Sequence, residues 1–320
     1  MSCVVALDTF DPVGIEYMRQ LFPEIIEQGN PLHPEWLEHA VGLLVAKSQV
    51  TADMIKRAKK LKFIVRHGAG YDNIDAEACR ANGVVLCNVP GINAVNVAEV
   101  ALALTCACAK NLVEVTRQMR GGTKLNKRCE SIYSASVLTG KTFGIVGGGR
   151  IGQITAKKFI GAFDGNIMLY DPFISDDNPG TWASIPHVKV DSLDSMLPVV
   201  DVLSLHVPLL PTTTGMIQLQ QLKAMKPTAI LINCARGGVV NEEALWRALR
   251  ENIIASAGVD AWVKEPPTRE VYGNIFDLRN LVMSPHIGGS PAEVQTATCK
   301  SMCDHMKELI DGKPPRDRVA

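Results

Sequence analysis

Four short segments carry most of the chain's reactive side chains, and each closes an apolar run. MSPHIGGSP, residues 283–291, sets His286 between a proline and two glycines. GVDAWVKEPP sets Glu265 before two prolines, INCARGGVVNEEAL sets Arg236 before two glycines, and LHVPLLPTTTG adds His206. An imidazole gives and takes a proton near neutrality, and a carboxylate beside it orients the ring and favours its charged form. A guanidinium is a planar, bidentate donor suited to a carboxylate. Taken singly, each has a plainer reading: a core histidine, a solvated loop acid, an arginine bonded to a surface acid. Together they supply a proton donor, its orienting acid and an anion clamp.

A fifth segment, TFGIVGGGRIGQITAKKF, supplies a partner for that chemistry. A strand ending at Val146 runs into Gly147, Gly149 and Gly152, the GxGxxG spacing of a dinucleotide turn. The three glycines serve a tight turn, approach of the backbone to a pyrophosphate, and close packing of helix on strand. The helix that follows should show Ile151, Ile154, Phe159 and Ala162 on its apolar face, and its free N–H groups and positive dipole end suit phosphates. The next strand, NIMLYD, ends in Asp171, about 20 residues on, where an acid bonds the ribose hydroxyls. With Pro172 and Phe173 after it and no adjacent base, Asp171 predicts NAD rather than NADP. NAD in turn predicts hydride transfer, which needs the proton donor and anion clamp already noted.

The elements that must position these residues alternate along the chain. VVALD, GLLVA, FIVRHG, VVLCNV, TFGIVGG, NIMLYD, VLSLHV, AILINCA, SAGVDA and LVMSPHI read as strands buried on both faces. TADMIKRAKKL places Met54, Ala58 and Leu61 on one helical stripe, and NEEALWRALREN starts at the N-cap Asn241 with two acids behind it. This order predicts an α/β protein of parallel sheets with helices on both faces and right-handed crossovers. Ligands then gather beyond the carboxyl ends of the strands, where the reactive segments lie. NVPGIN at 88–93 and GGSP near 290 interrupt the pattern. The first precedes a long apolar helix from about Asn93 to Leu112, the second a final helix, AEVQTATCKSMCDHMKELI. A discontinuous arrangement is expected: residues 1–92 with 290–320 form one domain, and 93–289 a second inserted into it. Residues 113–138 have weak periodicity and are expected to form an arm or loop.

Composition excludes several partners. Lysine plus arginine equals aspartate plus glutamate, 33 each, without long blocks of one sign, so nucleic acid and anionic membranes are not expected. Nine cysteines lack CxxC pairs or zinc-finger spacing, and no basic segment precedes an apolar one at the N-terminus. Free thiols in a reducing cytoplasm and no metal are expected. The longest apolar stretch, VNVAEVALALTCACAK, carries Glu99 and is too short for a bilayer.

In order and spacing, GGGRIG, LHVPL, NCARGG, GVDAWVKEPP and SPHIGGS resemble the D-isomer-specific 2-hydroxyacid dehydrogenase family, and RHGAGYDNID and NAVNVAEVALAL extend the likeness over nearly the whole chain. The resemblance implies a Rossmann NAD-binding domain inserted into a flavodoxin-like substrate-binding lid domain, and a homodimer in which residues 113–138 and the 93–112 helix embrace the partner. It implies a catalytic triad of Arg236, Glu265 and His286. Substrate contacts fall on the backbone amides of Ala69 and Gly70, with Arg236 and His286. Cofactor contacts fall on Gly147, Gly149, Arg150, Ile151, Gly152, Asp171, His206, Val207, Pro208, Cys234, Ala235, Asp260, His286 and Gly288. His67 becomes a cleft-wall residue. In the implied reaction a 2-oxo acid receives hydride at C2 from NADH and a proton from His286, with domain closure near Asn93 and Pro291 expelling water.

The substrate class stays open between 3-phosphoglycerate and glyoxylate or hydroxypyruvate. The pattern is similar to D-3-phosphoglycerate dehydrogenases, yet Val45 stands where those commonly place a phosphate-binding arginine, with Lys47 two residues on. Trp262 and Pro291 also depart from the family pattern. Glu265 stands where formate dehydrogenases carry glutamine, which sets that activity aside. The chain ends soon after its last helix, so no regulatory domain is expected. A dinucleotide-sensing corepressor of the C-terminal-binding-protein group shares fold and triad and is the alternative of another class.

Overall fold

Each apolar run read as a strand contains one, and wherever these strands pair with one another they pair in parallel. The computed structural model describes residues 3–126, 135–175 and 180–320. The chain divides into two units, Met1–Asn93 with Gly289–Ala320, and Ala94–Gly288.

In the first unit β1 (Val4–Ala6), β2 (Gly42–Val45), β3 (Phe63–Arg66) and β4 (Val85–Cys87) lie side by side in that order. Single bridges add Ile26 beside Val5 and, antiparallel, Arg318 beside Cys87. Helix α1 (Pro12–Leu21) begins at Asp11, whose side chain accepts from Gly14 N, and Pro12 tolerates the unpaired first turn. Helix α2 (Trp36–His39) is one turn long. Helix α3 spans only Ala52–Arg57, shorter than the expected stripe, although Ala58 and Leu61 are buried beyond its end, where the chain turns toward β3. Helix α4 (Ala76–Ala81) leads into β4.

The second unit opens with α5 (Ala94–Ala109), an almost wholly apolar helix with nine buried residues, as its central position demands. The expected continuation to Leu112 fails at Asn111, which adopts a left-handed φ of 48°. A second helix, α6 (Leu112–Arg120), then starts at 62° to the first. Asparagine tolerates that conformation, and the break re-aims the chain. The expected arm therefore begins as helix, and its residues 127–134 lie outside the described residues. No single helix among the described residues is long and apolar enough to cross a membrane.

Next come β5 (Thr142–Val146), α7 (Arg150–Phe163), β6 (Asn166–Tyr170), the two-residue β7 (Val188–Lys189), α8 (Leu193–Met196), β8 (Val202–Leu205), α9 (Leu219–Ala224), β9 (Ile230–Asn233), α10 (Glu242–Arg250), β10 (Ser256–Val259), α11 (Arg269–Tyr272) and β11 (Leu281–Met283). The strands stand in the order β7-β6-β5-β8-β9-β10-β11. This is the doubly wound Rossmann order, and it reverses direction between β5 and β8. The buried face of α7 is Gly152, Thr155, Ala156 and Phe159, while Ala162 is exposed, so the expected stripe is corrected by a rotation about the close contact at Gly152. Helix α12 (Ala292–Ile310) belongs to the first unit and buries Cys299, Met302, Cys303 and Met306 against it.

Candidate active site

Three neighbouring strand ends, those of β9, β10 and β11, precede Arg236, Glu265 and His286 in the second unit. Asn233 closes β9 and is 3% exposed. Its side-chain amide donates to Arg236 O at 3.1 Å and to Ala261 O at 3.4 Å, and its oxygen accepts from Ala235 N at 3.1 Å. One buried side chain thus fastens the loop after β9 to the loop after β10. Arg236 sits at partial exposure, with Nη1 donating to Ala235 O at 2.8 Å.

After β10, Trp262 is buried against Trp246, its backbone N–H donates to Glu265 Oε1 at 3.1 Å, and its indole N–H donates to Ser284 O at 2.8 Å. The last bond ties the β10 loop to the β11 loop, so the bulky residue that departs from the family pattern is a brace. His286 lies in the left-handed region at φ 62°, a conformation that costs a residue with a side chain about 1–3 kcal/mol. Asp260 holds it there: the carboxylate, 1% exposed, accepts from Ser284 Oγ at 2.6 Å, Ile287 N at 2.8 Å and Gly288 N at 3.1 Å. Expected beside the cofactor's carboxamide, Asp260 spends its hydrogen bonds on the histidine loop.

So placed, His286 directs Nδ1 to both oxygens of Glu265, at 2.8 and 2.9 Å, and its side chain is 39% exposed, within reach of a ligand. Burial alone would raise the Glu265 carboxyl. The hydrogen bonds from His286 and Trp262 N and the charges of His286 and Arg236 outweigh it and hold the carboxyl below its ordinary 4.5. A carboxylate whose native pKa is depressed stabilises the fold fully above its unfolded value and loses that contribution as the pH falls through the native one. Thermal melts should therefore show wild type above Glu265→Gln at about pH 6, with the margin closing below about pH 4.5. A margin that widens toward acid contradicts this pairing.

Among the described residues the other strand-end histidines have no such partner. His206 has its ring nitrogens buried although the residue as a whole is partly exposed: Nε2 meets Ser204 Oγ at 2.9 Å, and Nδ1 has no partner among the described residues. Burial pushes its pKa down to about 3, so it is neutral. In the first unit His67 is buried against Phe10, its Nε2 faces Gln295 O at 3.3 Å, and burial lowers it as well.

The glycine turn lies where the strand order reverses. Gly147 has φ 95°, and a Cβ there would come within 2.6 Å of His206 O, so the loops after β5 and β8 touch. A Cβ at Gly152 would lie 2.2 Å from Gly147 O. At Gly149, the N-cap of α7, a side chain would meet nothing within 4 Å, and the first-turn N–H groups of Arg150, Ile151 and Gly152 have no acceptor within the helix. Asp171 accepts from Gly148 N at 2.7 Å and Phe173 N at 2.8 Å. This cradle fits a pyrophosphate with a ribose beside it. Val207 and Pro208 line the loop after β8, and Cys234 and Ala235 are buried after β9, with burial pushing the Cys234 thiol up.

Ala69 and Gly70 lie in the first unit after β3, where Ala69 O accepts from Asn88 Nδ2 at 2.6 Å. Val45 is fully buried in β2. The loop after it is gathered by Asp8, whose carboxylate accepts from Ala46 N at 2.6 Å, Lys47 N at 3.0 Å and Ser48 Oγ at 2.7 Å. Sequence reasoning missed Asn233, Ser284, Trp182 and Gln153. None sits in a motif that announces its partner, although an asparagine closing an apolar strand is a signal for Asn233.

Residues 102–288 match the family model of the D-isomer specific 2-hydroxyacid dehydrogenase NAD binding domain. The second unit is thus an NAD-binding Rossmann domain, and the chain belongs to the D-isomer specific 2-hydroxyacid dehydrogenase family. It is 40% identical over 257 residues to a hydroxypyruvate reductase of Thermotoga maritima, covering 80% of each chain. It is 37% identical over 273 residues to a D-3-phosphoglycerate dehydrogenase of Methanocaldococcus jannaschii, covering 85% of this chain and 50% of that one. The chain thus spans about half the length of that curated relative. A crystal structure of a Thermus thermophilus protein superposes with a TM-score of 0.86 at 30% identity, covering 99% of this chain and all of that one.

Proposed function

We propose that the protein is an NAD-dependent oxidoreductase interconverting a D-2-hydroxy acid and its 2-oxo acid. The observation that carries this reading is the Glu265–His286 pair, held at 2.8 Å beside Arg236 on strand ends of the NAD-binding unit. NAD, when bound, would supply or accept the hydride at the substrate C2. His286, oriented through Nδ1 by Glu265, exchanges the hydroxyl proton through Nε2. Arg236 takes the substrate carboxylate. Gly147, Gly149 and Gly152 with the amides of Arg150 and Ile151 take the pyrophosphate, and Asp171 the ribose. The Asp171 carboxylate, held by Gly148 N and Phe173 N, repels a 2′-phosphate, which favours NAD over NADP.

For the substrate, 3-phosphoglycerate and hydroxypyruvate or glyoxylate stand side by side, as do the two relatives. Val45, apolar and fully buried, supports the unphosphorylated class. A homodimer built on α5 and α6 is supported by the exposure of Val95, Leu112, Val113 and Met119. A cytoplasmic setting is supported by eight free thiols among the described cysteines.

The deciding experiment follows NADH consumption with glyoxylate, hydroxypyruvate, 3-phosphohydroxypyruvate and pyruvate. Steady turnover with at least one is expected. Tight NADH binding without turnover on any would replace the enzyme with a dinucleotide sensor.

A further inference from the structure

The peptide joining Gly148 to Gly149 is gripped by side chains that lie outside the glycine motif. In the preceding peptide, the Gly148 N–H donates to Asp171 Oδ2 at 2.7 Å. The Gly148 carbonyl accepts from Trp182 Nε1 at 2.7 Å and from Gln153 Nε2 at 3.1 Å. Trp182 is 1% exposed and stands in a short 3-10 turn, Gly180–Ser184, with the His187 ring edge-on at 5.0 Å. A buried indole N–H needs an acceptor, and here the acceptor belongs to the dinucleotide turn.

The consequence follows from peptide geometry. In a trans peptide the C=O and the following N–H point in opposite directions. With the Gly148 oxygen held on the buried indole, the Gly149 N–H points away from it, and a side chain at Gly149 would meet no atom within 4 Å, so that edge of the turn is open to a ligand. Two successive glycines would otherwise let this peptide rotate freely, because neither carries a Cβ. A Cβ at Gly148 would lie 2.3 Å from Ile174 Cδ1 and 2.8 Å from Trp182 Nε1, so the indole packs directly on the turn.

We propose that Trp182 is a positioning residue of the dinucleotide site: its indole N–H fixes the Gly148 carbonyl and thereby presents the Gly149 N–H to the pyrophosphate. The proposal rests on the dinucleotide reading of this turn, which NADH binding by the unaltered protein tests separately.

Trp182→Phe keeps an aromatic ring and removes the donor. Calorimetry should show NADH and ADP-ribose, which share the pyrophosphate, both bound about fivefold more weakly. At saturating NADH, kcat should stay within about twofold, because the reacting groups are elsewhere. A packing role alone would lower the melting temperature and leave both dissociation constants unchanged, and that result overturns the proposal, as does a fall in kcat equal to the fall in kcat/KM. Should Trp182→Phe fail to fold, Gln153→Met removes the second donor to the same oxygen. About twofold weaker binding then supports the proposal, and unchanged binding overturns it. If the unaltered protein does not bind NADH, the dinucleotide reading itself falls.

Discussion

Replacing His286 by glutamine should lower kcat by about 10³-fold while the dissociation constant of NADH stays within about twofold. Glutamine can still donate a hydrogen bond to Glu265 but cannot carry a proton to a forming alkoxide. A thousandfold loss corresponds to about 4 kcal/mol of barrier, within what a positioned acid or base contributes. The backbone needs a control, since His286 occupies a left-handed conformation at φ 62°. His286→Asn supplies it, because asparagine tolerates that conformation better than glutamine and is equally unable to transfer the proton. Loss of kcat by both variants, with NADH binding retained, isolates the proton role. An active asparagine variant would show that the glutamine variant had failed through loop strain, and equal loss of turnover and NADH binding would make His286 a wall of the cofactor site.

The residue types at strand ends were legible because two independent patterns agree there: a period that marks a buried strand, and a polar group following it without a helix to solvate it. That is why His286, Glu265, Arg236 and the glycine turn stand out, and why ten strands can be read from short apolar runs. What was hidden depends on partners far away in sequence. Asp260 looks like one more strand-end acid, and only the return of the chain 24 residues later, at Ser284, reveals that it clamps the histidine loop. Trp182 lies 34 residues from Gly148 in a segment of no evident period. The break at Asn111 is a single backbone torsion inside an otherwise helical pattern. The burial of α7 turns about Gly152, whose approach to Gly147 O cannot be seen from hydrophobicity, so the apolar stripe puts Ala162 inside whereas it lies outside. Two-residue β7 is too short to leave a pattern.

Gly237→Ala should lower kcat/KM by about 10²–10³-fold with NADH affinity within about threefold. The reason is a backbone contact that no rotamer can relieve. A Cβ at Gly237 would lie 2.0 Å from Trp262 O, 2.1 Å from Trp262 C and 2.4 Å from Val263 N. The loops after β9 and β10 must separate to admit it, and those loops carry Arg236 and Glu265. A displacement of about 1 Å at reacting groups costs on the order of 10²-fold in rate. Here the anion clamp and the acid that orients His286 move together, and the tie from Asn233 to Arg236 O and Ala261 O is stretched with them. The glycine turn at Gly147–Gly152 sits on a different strand end, which is why cofactor affinity should hold. Gly238→Ala is the matched comparison: at φ 85° it strains the backbone, but its nearest neighbour, Leu209 Cδ1, lies at an ordinary 3.5 Å. It should lower the melting temperature by a few degrees, as a loss of about 1–2 kcal/mol does, and reduce kcat/KM less than tenfold. Equal loss of activity in the two variants would show that generic loop strain, rather than the close passage of β9 and β10 loops at Gly237, sets the geometry of the reacting groups.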